Sequence, residues 1–159
     1  MRARRNLFLA LALPALTITF AIGADGLACA APPNAHAART LSVQENASLH
    51  LVGSHGLTIN DRGNAHGTFN CSLAISFTLE TAARGSATFT AYPHGGSISG
   101  RASAHYSTSG TTGHFEGSMT ITGGTGTFKH ASGKGLLIKG TIDRYNYSLT
   151  AQLSGKVSL

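Results

Sequence analysis

The sequence predicts an all-β protein: a single eight-stranded antiparallel β-barrel behind a removable N-terminal signal. Three features carry that expectation. Apolar residues recur at every second position from Leu41 to Leu159, the period of a strand with one buried face. Glycine, with 20 residues, falls at breaks in that rhythm, as turns between short strands require. Only 11% of residues are charged, too few for a self-repelling disordered chain.

The N-terminus comes first. Arg2, Arg4 and Arg5 precede an apolar stretch, Leu7 to Ile22, interrupted only by Pro14, Thr17 and Thr19. It is short, holds a proline and runs into small residues, so it reads as a secretory signal rather than a spanning helix. Residues 1–30 form this signal when cleavage follows Ala28-Cys29-Ala30. Cleavage after Gly23 also fits, as does cleavage as late as residue 37, after Ala35-His36-Ala37. Lipid anchoring at Cys29 ranks below these, because Gly26 stands where a branched aliphatic residue is expected, and an uncleaved anchor ranks lower still. The expected location is secreted, periplasmic or extracellular, with no membrane attachment once the signal is gone. Residues 31–39, with Pro32 and Pro33, form a flexible lead-in to a barrel over residues 40–159.

The strands follow in order. Leu41, Val43, Ala47, Leu49 and Leu51 alternate with polar residues. Leu57 and Ile59 open a short second strand, and Asn60-Asp61-Arg62-Gly63 reads as the turn that stops it. From Ala65 through Phe69, Cys71, Leu73, Ile75 and Phe77 to Leu79 one apolar face persists. Fully extended, that run spans roughly 50 Å, too long for one strand of a small domain, so it must bend, at Gly67. Ala87, Phe89 and Ala91 lead to the turn Pro93-His94-Gly95-Gly96, and Ile98 to Tyr106 form the next face. A loop from Thr108 to Gly113 precedes Phe115, Gly117, Met119 and Ile121. Gly123-Gly124-Thr125-Gly126 is expected to break the sheet, and Thr127 to Ser132 to form one helical turn. Leu136 to Ile142 and Tyr147 to Leu159 complete the set. Closing such a meander into a barrel removes its exposed edges.

Residues 121–135, Ile-Thr-Gly-Gly-Thr-Gly-Thr-Phe-Lys-His-Ala-Ser-Gly-Lys-Gly, are the most specific segment. They resemble the GGTG-x-F-x-x-A-x-G signature of plant dirigent proteins and allene-oxide-cyclase-like barrels. The stretch from Phe115 to Ile142 also resembles exported bacterial proteins of that superfamily, whose G-T-I-D/N-R hairpin is matched by Gly140-Thr141-Ile142-Asp143-Arg144. The resemblance covers about the last quarter of the chain and implies a calycin- or lipocalin-like barrel. It also implies a cyclase or isomerase acting on an unsaturated lipid or phenolic radical, with acidic or polar side chains at the barrel mouth or lumen. The expected inward face carries no Asp, Glu, His or Arg between Phe69 and Leu79 or along Leu136 to Ile142, so no catalytic residue is matched. Gly123, Gly124 and Gly126 are expected to permit positive φ and close backbone approach, and Phe128 to plug the barrel's end.

The leading functional expectation is a secreted barrel that binds a small hydrophobic molecule or serves as a stable extracellular module. Its ligand-contacting candidates are Phe69, Phe77, Phe89, Tyr106, Phe115 and Phe128, at the lumen or its mouth, and the lumen is expected to be small because these rings fill it. Removing residues 1–30 takes Arg2, Arg4, Arg5 and Asp25 from 12 basic and 6 acidic residues, leaving nine against five. That excess is scattered and not interleaved with aromatics, which argues against nucleic acid. The eight histidines show no metal-ligand spacing, so neither a metal nor a cofactor is expected. Cys71, in register with Phe69 and Leu73, is expected to be a buried, inert thiol. An outer-membrane barrel is a third expectation, weakened by sparse Tyr and Phe and by the absence of Trp.

Overall fold

The computed structural model describes residues 39–159; the signal, its three cleavage sites, Cys29 and residues 31–38 of the lead-in lie outside the described residues. Within that range the chain is all-β, with eight antiparallel strands in a closed barrel. They are β1 (Thr40–His55), β2 (Thr58–Gly67), β3 (Cys71–Thr81), β4 (Arg84–Tyr92), β5 (Gly96–Ser109), β6 (Thr112–Gly126), β7 (Gly133–Asp143) and β8 (Leu149–Ser158). Each strand pairs with the next, and β8 returns to β1 through a register running from Thr40 opposite Ser158 to Leu49 opposite Leu149. No edge remains unpaired along that seam.

Four local expectations are corrected. Asn60-Asp61-Arg62-Gly63 is not a turn but the middle of β2, with Asp61 opposite Leu51 on one side and Ile75 on the other. The chain reverses earlier, at Gly56, whose φ of 59° lies in the left-handed region. The long apolar run does not bend as one strand at Gly67. It ends there and restarts at Cys71, after a turn in which Asn70 holds φ 45° and its Oδ1 accepts a hydrogen bond from Gly67 N at 3.2 Å. Finally, Gly123 to Gly126 do not break the sheet: β6 continues through them, with Gly124 opposite Ile98 and Gly126 opposite Gly96. The helical turn expected at Thr127 to Ser132 reduces to short hydrogen-bonded turns, Phe128 N to Thr125 O at 3.0 Å and Ala131 N to Phe128 O at 2.8 Å.

Two bulges set the curvature of the sheet beside that motif. Gly135, at φ 69°, is the extra residue where Met119 faces Leu136 and Thr120 faces Lys134. Thr122 is the extra residue between the pairs Gly100–Ile121 and Ser99–Gly123.

The main core cluster includes Val43, Ile98, Met119, Ile121, Phe128, Leu136 and Val157, gathered toward the end that holds the start of β1 and the end of β8. A second cluster, Leu49, Ile142, Leu149 and Ala151, lies toward the opposite end. Phe128 is buried and closes the first end, its ring edge-on to Phe69 at a centroid distance of 5.8 Å. The outer positions of β5 are polar, with Arg101, Ser103, His105 and Ser107 all exposed, whereas Leu137 on β7 and Val52 on β1 are exposed apolar residues.

Candidate functional site in the barrel lumen

Aromatic rings and glycines are paired across neighbouring strands. Phe89 on β4 lies over Gly100 on β5, and Phe115 on β6 over Gly140 on β7. Phe77 covers Gly85 and Tyr106 covers Gly113 in the same way, each ring occupying the space that a glycine Cβ would need. The glycines therefore admit rings, and Gly85 also borders a lumen cavity. Of the six expected ligand-contacting aromatics, Phe69 borders one lumen cavity, Phe77 and Phe115 border the other and Phe89 borders both, while Phe128 packs in the first core cluster and Tyr106 on the second.

Two small apolar cavities survive in the lumen. One, of about 70 Å³, is bordered by Val43, Glu45, Phe69, Cys71, Met119 and Leu136, among others. The other, of about 40 Å³, lies toward the opposite end beside Phe77, Ala104, Phe115 and Leu149. Ile75, Phe89, Met119, Ile138 and Ala151 border both and form the layer between them. Neither approaches the ~150 Å³ that holds a benzene, nor the 300 Å³ or more of drug-sized sites.

The lumen contains what the sequence reading missed, two buried carboxyls. Glu45 is 7% exposed and Asp61 4%. Glu45 stands between Val43 and Ala47 on the inward side of β1, and its Oε1 accepts a hydrogen bond from Phe69 N at 2.7 Å. That bond ties the β2–β3 turn to β1, beside the pairing of Thr68 N with Gln44 O at 3.1 Å. Among the described residues, Glu45 Oε2 and Asp61 Oδ1 have no hydrogen-bond partner. Burial pushes the Glu45 carboxyl above its ordinary range, against the opposing pull of the backbone amides of Phe69 and Thr68 and of His66. Burial raises Asp61 likewise, with His50 opposing.

The two carboxyls do not form a catalytic pair. Glu45 faces Gly67 and Asp61 faces Leu51, six residues further along β1, a separation of about 20 Å along the strand. Carboxylates that flank one scissile bond stand about 5–9.5 Å apart. Cys71 is the nearer neighbour of Glu45. It is buried and free, and desolvation first, then the charge of Glu45, holds its thiol above the ordinary range. A thiol so placed is a poor nucleophile.

Sequence reasoning missed Glu45 although alternation alone marks it, because Val43, Glu45 and Ala47 share one parity. It missed Asp61 because an Asn-Asp-Arg-Gly run has the composition of a turn. The motif glycines do three different things. Gly126 holds φ 59°, a Cβ on Gly124 would strike Ser97 O and Phe128 O, and a Cβ on Gly123 would meet nothing within 4 Å. The expected inward faces along Phe69 to Leu79 and Leu136 to Ile142 carry no ionisable group other than Cys71. Among the described residues no group of His, Cys, Asp and Glu is arranged to hold a metal ion.

No protein-family model matches this chain, and no curated protein or solved structure matches it either.

Proposed function

We propose that the chain is an exported binding barrel that takes a small, slender apolar molecule carrying one hydrogen-bond donor into its lumen. The observation that carries this reading is Glu45 Oε2, an acceptor buried without a partner at the wall of an otherwise apolar cavity. Leaving such a group unsatisfied costs about 1–3 kcal/mol, which a barrel serving only as a rigid module has no reason to bear. A hydroxyl entering the cavity would satisfy it. Met119, unbranched and part of the layer between the two cavities, is the side chain best suited to move aside for the rest of the ligand. Export rests on the N-terminal signal pattern.

Calorimetric titration with 1-butanol and its isomer diethyl ether tests this, because only the alcohol donates. Saturable binding of the alcohol, weaker binding of the ether, and loss of the difference in Glu45→Gln are the expected results. The glutamine keeps an acceptor for Phe69 N but turns a donor toward the cavity. Absence of saturable binding for both probes would leave only the role of a stable module.

A second reading, the cyclase or isomerase that the Gly123-to-Gly126 signature implies by resemblance, is favoured by one observation: an ionisable side chain, Glu45, borders the lumen next to Cys71. Its mark would be product formation from an unsaturated lipid that Glu45→Gln abolishes while binding persists.

A further inference from the structure

Cations that lie apart in sequence are brought together by register on the outer wall. Arg101 on β5 faces Thr120 on β6, and Thr120 faces Lys134 on β7. On β8, Lys156 faces Ser42 of β1. The remaining step, from β7 to β8, depends on the bulge at Gly135. Lys134 shares parity with the inward Leu136 and Ile138, so an unbroken strand would turn it into the core. The extra residue, Gly135 at φ 69°, turns it outward instead, and it is exposed. Leu137 faces Ser154 on one side of the bulge and Ser132 faces Ser158 on the other, which sets Lys134 directly opposite Lys156.

The row Arg101, Thr120, Lys134, Lys156 and Ser42 thus crosses five neighbouring strands and spans roughly 19 Å at a strand spacing of about 4.8 Å. Hydroxyls border it on both sides. Toward the end that holds the motif, Ser158 pairs with both Ser132 and Thr40, its hydroxyl 3.4 Å from that of Thr40, and Thr122 Oγ1 donates to Ser99 O at 3.3 Å. On the other side stand Ser103, Ser118 and Ser154, with Leu137 between the last two. Two lysines directly opposite each other repel. Among the described residues no acidic side chain lies in these three rows to offset that repulsion. Glu116 is four residues from Thr120 along β6 and faces Lys139. The backbone of Leu159 pairs with Arg39, which sets the terminal carboxylate beside a different cation.

We infer that this row is a binding site for a linear polyol-phosphate chain, a polymer of hydroxyl-bearing units joined by phosphodiesters. Such a chain carries its charges along its own line, as the cations do here, and its hydroxyls to either side, where the flanking Ser and Thr stand. Lysine and arginine both bind phosphate through charge-assisted hydrogen bonds. An acidic polysaccharide matches less well, because its carboxylates hang off the sugar rings, away from the line of the chain. Nucleic acid lacks a stacking platform: the exposed aromatics Tyr92, Tyr145 and Tyr147 belong to β4 and the β7–β8 turn, outside the five strands of the row. A flat bilayer would meet only part of a row that wraps five of the eight strands. The site lies on the outer face, so it stands or falls separately from the lumen and Glu45 Oε2.

Fluorescence anisotropy with labelled poly(glycerol phosphate) oligomers tests the inference, against polygalacturonate and single-stranded DNA of equal charge and against uncharged polyglycerol. Poly(glycerol phosphate) should bind most tightly, and log K should fall against log salt with a slope of about −2, as three neutralised charges require. Lys134→Gln and Lys156→Gln should each weaken binding at least about threefold and reduce the slope to about −1.4. The melting temperature of each variant should hold or rise, since the repulsion between the two lysines is relieved. A lysine that served only the fold would lower it. Lys139→Gln, opposite Glu116, should leave binding unchanged. Equal or tighter binding of polygalacturonate or DNA, equal binding of polyglycerol, no binding at all, or indifference to both lysine substitutions would each overturn the assignment.

Discussion

Gly123, Gly124 and Gly126 are neighbours in sequence with different loads. Alanine at Gly124 drives a Cβ into two backbone carbonyl oxygens, and alanine at Gly126 must also take a φ of 59°. Each should lower stability by about 1–2 kcal/mol or more. Gly123→Ala, with open space around the new methyl, should stay within about 0.5 kcal/mol of the parent. Urea denaturation of the three variants checks the order. The buried carboxyls make a separate prediction. Folding raises the proton affinity of Glu45 and Asp61, so the unfolded chain gives up its protons first as pH rises. Their contribution to stability is therefore complete below the ordinary carboxyl range and is lost as pH climbs through the raised values. Melting temperature should fall from mildly acidic toward neutral pH, and Asp61→Asn should flatten that profile and raise the neutral value. A profile that rises over the same interval in the parent would contradict the assignment. Cys71, with its raised pKa and buried Sγ, should resist thiol reagents in the native state and react only on unfolding.

At the scale of elements, the aromatic–glycine pairs shape the wall. Phe115→Ala should cost about 3–5 kcal/mol, since the ring fills space against Gly140 and within the second core cluster. Ala151→Leu enters the inner wall, where Ala151 is already only 7% exposed and borders both cavities. It should destabilise by about 1–3 kcal/mol through overpacking, and chemical denaturation reads both effects. Much of this was legible in sequence as strand rhythm. The period of two places residues in all eight strands, although β2 reads as a short strand stopped at Asn60 and its end, from Ala65, as part of the next strand. The turns were less legible. Asn60 to Gly63 has turn chemistry but lies in β2, because Gly56 had already supplied the left-handed residue that the reversal needs. Gly123 to Gly126 look like a break, yet glycines also serve a strand whose neighbours press close, as Ser97 O does on Gly124. The outer row of cations was not legible at all, since it exists only through cross-strand register and the bulge at Gly135, which no single strand encodes.

Residues 40–159 close into a barrel that leaves little volume inside. Among the described residues, Glu45 Oε2 is an acceptor without a partner at the wall of that small volume. The closed β1–β8 seam leaves no edge for strand-to-strand aggregation. The central claim is that the lumen, small as it is, binds a donor-bearing apolar molecule at Glu45. Amide chemical shifts recorded during a titration with 1-butanol test it most directly. The account predicts saturable shifts centred on Glu45, Phe69, Cys71 and Met119. Shifts that never saturate, or that are confined to exposed apolar residues such as Leu57 and Tyr145, would contradict it.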